Sequence, residues 1–354
     1  MASQVSVVVA VVLIVVAGVA GVALGYELSP RTQAATAAAT NNTLSIVGAG
    51  TLGTCFPEMA SLLANSSAGV SAPFASQLYE GSLLALGTIA TSHQRYDVAA
   101  AADYRLIPQI LEPTYASYEV VFGTTPEVLT YDASNALLAG INTTNWVQKV
   151  EQPGLLMGVA NASTDPNGYN EIFVLELQGV AAGGSLSTVY NHFFQGTPGS
   201  LAVPNSSAAH FESETQVATL LSTHVVQSFI TYRSYAVAHH LAFVDFVPTV
   251  GLGSLASASI AAYGAASTTI LGASGPVKIS GAPVAFSVTV PSNAPNPTLG
   301  AAFVSLLFTP AGQALLTANG FTTVFPGWTD KPSAVPVGLQ PDVTAMPSGL
   351  PPVA

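Results

Sequence analysis

Three glycines behind an apolar run are the first residues that could do chemistry. LSIVGAGTLGTCFPEM, residues 44–59, spells Gly48-Ala49-Gly50-Thr51-Leu52-Gly53 between a strand-like and a helix-like segment. That is the spacing of a loop that holds a dinucleotide pyrophosphate at a helix N-terminus. The same chemistry needs an acid about twenty positions on, to hold the ribose. None stands between Asn65 and Leu78, and the next acid after Glu58 is Glu80. Thr51 and Thr54 instead put hydroxyls beside the free N–H groups of the helix start, which can hold an anion with or without a nucleotide. The plainer reading of Thr51 is a helix cap.

The arrangement recurs. Gly81-Ser82 opens the next helical run, Thr164-Asp165-Pro166-Asn167-Gly168-Tyr169 another, and Glu212-Ser213-Glu214-Thr215 a fourth. Several such helix starts are what an oxyanion clamp between two lobes requires. Taken alone, Asp165 reads more simply as an Asp-Pro turn residue and Glu214 as an acid in a helix's first turn. The six histidines show no H-x-x-x-H spacing with a partner acid, so a zinc enzyme has no support. No G-x-S-x-G elbow exists either, which leaves a serine hydrolase without a local signal. Arg233 follows Tyr232 and either adds positive potential at a cleft or packs and pairs elsewhere.

The elements that must position these groups belong to a chain of 354 residues, 49% hydrophobic but only 7% charged. Its formal net charge of −11 offers no basic stripe for nucleic acid. A single cysteine, Cys55, excludes an internal disulfide framework. From Val5 to Tyr26 no residue is charged, and a run of that length can span a bilayer as a helix. Residues 1–27 are therefore expected to be a signal or membrane anchor, and 28–43 a flexible tether. Sequons at Asn41, Asn65, Asn142, Asn161 and Asn205 favour a glycosylated body outside the cell.

Past the tether, strand-like and helix-like segments alternate, which predicts an α/β architecture with largely parallel sheets. LSIVGAG reads as a strand, SQLYEGSLLALGTIAT as a helix, and residues 118–132 as one long extended run. TQVATLLSTHVVQSF reads as helix and SFITYRS as a buried strand. After Val324 the chain turns Pro-rich and is expected to be loose.

Several segments then resemble the archaeal tungstate/molybdate-binding proteins of ABC importers, which are type II periplasmic binding proteins. They are AGTL (49–52), EGSLLAL (80–86), AADYRLIPQILEPTYASYEVVFGT (101–124), TDPNGY (164–169), ITYRSYAVAHHL (230–241) and VTVPSNAPNPTL (288–299). The resemblance covers Leu44 to about Phe325. It implies a two-lobed α/β fold with an anion in the interlobe cleft. Thr51 and Ser82 would donate hydrogen bonds from the first lobe and Tyr232 its phenol from the second. Asp165 and Glu214 match the two carboxylates that approach the metal of the oxyanion and raise its coordination from four to six. Glu214 is aligned only by spacing back from Tyr232. The chain departs from the family at Ser222, where a Glu is common, and at Asn167 and Asn170, where Cys and Arg are usual.

Two carboxylates beside a dianion repel it, so a plain sulfate or phosphate site would avoid them. Tungsten and molybdenum accept further oxygen ligands, and carboxylate oxygens are the hard donors such centres take. The resemblance therefore implies a monomeric extracellular receptor, not an enzyme and without a cofactor. It would be anchored in the cell membrane and would deliver tungstate or molybdate to an ABC permease and ATPase. Residues 44–131 and 236–327 are expected to form lobe 1, residues 132–235 lobe 2, and residues 328–354 a Pro-rich tail. Strands near Glu119–Tyr131 and Val284–Val290 are expected to form the hinge. The rival ligands are sulfate, phosphate or a small organic anion, and the rival classes an extracytoplasmic enzyme or a structural surface protein.

Overall fold

Strands that are apolar along their whole length have no side to offer water and must lie inside a covered sheet. Strands β1 (Ser45–Ala49), β3 (Val98–Ala101) and β4 (Val120–Thr124) are of this kind, buried at every position. A computed structural model describes them within residues 43–66, 76–272 and 274–351. The expected anchor, the tether up to residue 42 and the sequon at Asn41 lie outside the described residues. Among the described residues no single helix is long and apolar enough to cross a membrane.

Helix α1 (Leu52–Ser66) follows β1, strand β2 (Ser76–Glu80) pairs with it, and helix α2 (Ser82–Ala90) leads to β3. After β4 the chain leaves this sheet. Strands β5 (Glu127–Tyr131) and β6 (Met157–Val159), helix α3 (Pro166–Ala181), and strands β7 (Ala209–Phe211), β8 (Ser228–Tyr232) and β9 (Phe243–Asp245) build a second one. The chain returns with β10 (Ala285–Thr289), β11 (Thr322–Thr329) and β12 (Val343–Ala345). The first sheet has the order β12-β11-β4-β10-β3-β1-β2, and the second β9-β5-β8-β6-β7.

The two lobes are α/β as expected, but the sheets are mixed rather than largely parallel. β10 runs antiparallel to both β3 and β4, and β5 antiparallel to β8 and β9. The strands next to the crossings are reached by chain returning from the other lobe, so they are free of the βαβ geometry that enforces parallel pairing.

The long extended run is broken at Thr125-Pro126. Proline has no N–H for a ladder and keeps the residue before it extended, so the run crosses between sheets there. The return passage touches the same point. Val284 O accepts from Thr125 N–H at 3.4 Å, and Gly251 O accepts from Glu127 N–H at 2.8 Å.

Strand partners draw the lobes differently from the expected boundaries. β5 and β9 belong to the second sheet, although 127–131 and 243–245 were expected in lobe 1. The hairpin Ser267–Gly272/Gly275–Ser280 also bonds to the second lobe, through Ser267 N–H to Glu176 and Leu271 N–H to Ser163, both at 2.9 Å. The expected hinge strand near Val284–Val290 lies inside the first sheet, paired on both sides.

Three local expectations also change. SQLYE is not helix but strand β2, paired with β1. The expected 215–229 helix spans only Val217–Ser222, and His224 behind it takes a left-handed φ of 58° that stops the helix. The tail is not loose. β12 pairs with β11, Leu350 is buried, and Tyr104 Oη donates to Pro351 O at 2.5 Å.

Candidate functional site

The first-lobe side of the site is made by two strand-to-helix turns. β1 and β2 are parallel neighbours, so their C-terminal ends release α1 and α2 at the same edge. Thr51 stands at the first turn, buried, with its Oγ1 lacking a hydrogen-bond partner. Ser82 is the first residue of α2 and fully buried. Its Oγ accepts from Ala102 N–H at 3.0 Å, which leaves the hydroxyl proton free to donate.

The second lobe supplies acids. Asp165 caps α3, accepting from Asn167 N–H at 3.0 Å, with Pro166 filling the first helical position where no N–H is needed. Glu214 begins a 3₁₀ turn, Glu214–Gln216, and its Oε1 is buried without a partner. Tyr232 ends β8, fully buried, its ring edge-on to Phe286 at 5.3 Å and its hydroxyl also without a partner.

Two glycines show how closely the lobes meet. A methyl at Gly50 would lie 2.6 Å from Thr215 Cγ2 and 3.1 Å from Glu214 Oε2. A methyl at Gly81 would lie 2.4 Å from Thr164 O and 2.9 Å from Asp165 Cβ. The turns bearing Thr51 and Ser82 therefore press against the turns bearing Glu214 and Asp165. A cavity of about 430 Å³ at this seam is lined by Glu80, Gly81, Asp165, Phe211, Glu214 and Thr215. Of the five predicted site residues, Asp165 and Glu214 line this cavity; Thr51 and Ser82 are buried in the turns that meet theirs and do not line it, nor does Tyr232, which lies within electrostatic reach of both acids.

The electrostatics are those of carboxyl groups short of cations. Burial raises Asp165 to about 6, against the Asn167 N–H that lowers it. Burial and the charge of Asp165 raise Glu214 well above the usual range. Burial and the neighbouring Asp165 charge thus favour the neutral form of Glu214 more strongly than burial favours that of Asp165. Arg233 does not enter this group: its Nε approaches Asp245 at 3.5 Å and its guanidinium lies 5.6 Å from the Phe243 ring centre. No ion pair among the described residues involves Asp165 or Glu214.

Two acids that sequence reasoning passed over lie beside them. Glu127 and Glu171 are fully buried, and burial raises both well above the carboxylate range. Glu171 accepts from Ala160 N–H at 3.1 Å and from the Asn167 amide, which also donates to Ile230 O at 3.0 Å. In a chain with 18 acids, Glu inside the apolar runs EVLTY and NEIFVLEL was the available signal. Asn167 therefore braces Glu171, while the Asn170 side chain lies close enough to Glu127 to favour its charged form as a donor would, short of a well-formed hydrogen bond.

Such a site can grip an oxygen-rich ligand from both sides. Thr51, Ser82 and Tyr232 offer hydroxyl donors. Asp165 and Glu214 offer oxygen lone pairs to an electron-poor centre.

Residues 44–322 match the bacterial extracellular solute-binding proteins, and the chain belongs to that family. The molybdate/tungstate-binding protein WtpA of Thermococcus kodakarensis is 26% identical over 306 residues, covering 82% of this chain and 85% of the relative. A solute-binding protein of Methanoculleus marisnigri is 27% identical over 270 residues, covering 72% and 76%. The periplasmic molybdate-binding protein of Azotobacter vinelandii has the same fold, with a TM-score of 0.55 at 13% identity, covering 79% of this chain and 98% of that one. The sulfate-binding protein SubI of Mycobacterium tuberculosis is also similar, with a TM-score of 0.50 at 11% identity over 80% and 87%. Structures of this shape thus include proteins named for different oxyanions, so the shape by itself names no ligand.

Proposed function

We propose that the protein captures tungstate or molybdate outside the cytoplasm for import by an ABC permease–ATPase complex, with the N-terminal apolar segment as its membrane anchor. One observation carries the reading: two buried carboxyl groups, Asp165 and Glu214, face helix starts of the other lobe with no cation to neutralise them. Sulfate has no use for two carboxylates, because its sulfur takes no further oxygen ligands. A tungsten or molybdenum centre does, and the same carboxylates become ligands instead of a source of repulsion. The relatives' names agree with this choice.

Thr51, Ser82 and Tyr232 then hold the oxo groups while Asp165 and Glu214 approach the metal of the substrate. The anion must bind the closed arrangement more tightly than the open one for capture to shift the population. Thr125-Pro126 and the return passage would serve as the hinge.

Calorimetric titration with tungstate, molybdate, sulfate and phosphate tests the reading, repeated on Asp165→Asn and Glu214→Gln. Tungstate or molybdate should bind with sulfate silent, and each substitution should weaken binding about tenfold or more, the value of a contact to a charged group. Equal binding of sulfate would reduce the carboxyl groups to bystanders of a general oxyanion clamp.

A further inference from the structure

Glu127 is the acid that the oxyanion reading leaves without a task. It opens β5 immediately after the Thr125-Pro126 crossing. It is fully buried, and neither carboxyl oxygen makes a well-formed hydrogen bond, the Asn170 side chain being the one neighbour that acts on it as a donor. Burying a polar group unpaired is costly, and native structures rarely leave one so.

Register says what lies beside it. Glu127 is directly opposite Tyr232 in the antiparallel β5–β8 pair. Opposed residues project from the same face, with Cβ atoms about 5 Å apart. The two unpartnered groups, carboxyl and phenol, are therefore neighbours. The ionisable groups bearing on Glu127, Tyr232 and their surroundings are Asp165, Glu171, Glu214 and Tyr169, none of them cationic. Arg233, next in the chain, is committed to Asp245 and Phe243. Burial first, and then the charge of Asp165, hold the Glu127 carboxyl in its neutral form, against Asn170. A neutral carboxylic acid has an O–H to donate.

We propose that Glu127 is a further ligand-contacting residue of the anion chamber, donating its acid O–H to an oxygen of the captured oxyanion beside the Tyr232 phenol. The proposal rests on the oxyanion reading. Within it, the buried acid supplies a donor without adding charge against the dianion, as a carboxylate would. It also gives the first lobe-to-lobe crossing a direct contact with the ligand, since Glu127 is the first residue beyond Pro126.

Molybdate titration of the wild-type protein, Glu127→Gln, Glu127→Leu and Glu127→Met, with melting of each ligand-free protein, tests it. Gln keeps a donor in nearly the same shape, so its affinity should stay within about threefold of wild type. Leu and Met lose the donor and should bind about tenfold or more weakly, the worth of one hydrogen bond to a charged group. Both should melt no lower than wild type, because an unpartnered buried acid gives way to an apolar side chain. A residue that only packs would show the reverse pattern. Leu or Met variants that fold and bind molybdate like wild type would overturn the proposal while leaving the oxyanion reading intact. A wild-type protein that ignores both molybdate and tungstate would sink that reading and this inference with it.

Discussion

Asp165 caps α3 and also faces Glu214, and two substitutions separate those roles. Asn is as good a cap as Asp, so Asp165→Asn should keep the bond from Asn167 N–H and remove the charge. At pH 7 it should melt no lower than wild type, since burial disfavours the charge it replaces. Asp165→Ala should lose about 1 kcal/mol of stability with the cap. Both should lose anion affinity, and thermal melts run beside titrations would read the two effects apart. An Asn variant binding as tightly as wild type would confine Asp165 to capping. At this scale the sequence was informative where a residue also obeys a local rule. Asp165-Pro166 reads as a helix start, and Gly81-Ser82 as another. Glu127 and Glu171 obey no local rule, because their meaning lies in the strands and helix that fold around them. The burial that sets their protonation comes from residues far along the chain.

Gly81 belongs to the next scale, where one element meets another. Its φ of −51° and ψ of 132° are open to any residue, so alanine there is not strained within its own turn. The nearest atoms to the added methyl are Thr164 O and Asp165 Cβ of the other lobe. Because Thr164 O is backbone, the methyl fits only if the two turns part; each lobe keeps its own core, so the ligand-free protein should lose no more than about 1 kcal/mol. Anion affinity should fall about tenfold or more, because every 1.4 kcal/mol lost from the closed contact is tenfold. Unchanged affinity in the folded variant would show that this contact is no part of capture. Elements with a strong apolar pattern, such as β1, α1, β8 and β10, were legible because burial on both faces or one leaves a continuous or periodic run. β2 was not: at the sheet edge it is half-exposed, and SQLYE carries neither pattern. The tail misled for a related reason. Its prolines suggest loose chain, yet they flank β12, which pairs with β11 at the sheet edge, while Leu350 packs in one cluster with Tyr104.

The whole molecule is unusual in the direction of its titration. Burial raises the carboxyl groups of Glu80, Glu127, Glu151, Asp165, Glu171, Glu176, Glu214 and Glu119, with Asp165 at about 6, Glu176 at about 7 and Glu119 at about 9. Only Asp103 and Asp132, among the described carboxyl groups with a clear shift, are lowered; burial opposes this, but Arg105 outweighs it at Asp103, and Ser134 with His224 at Asp132. A group raised on folding holds its proton in the native state after the unfolded chain has released it. Its stabilisation is full below the unfolded value, about 4, and disappears as pH rises through the folded value. The two lowered groups act oppositely and lose their contribution as pH falls below about 4. Together these shifts place the stability maximum of the ligand-free protein near pH 4–5, below the usual range of about 5–8. Each excess native proton costs about 1.4 kcal/mol per pH unit above it. A chain with only 7% charged residues suits such conditions, since few groups change state there. Melts of the ligand-free protein from pH 4 to pH 9 decide the matter. A midpoint that declines steadily from pH 5 is expected, and one that holds level or climbs to pH 8 would mean that the buried acids find charge partners that neutralise their cost.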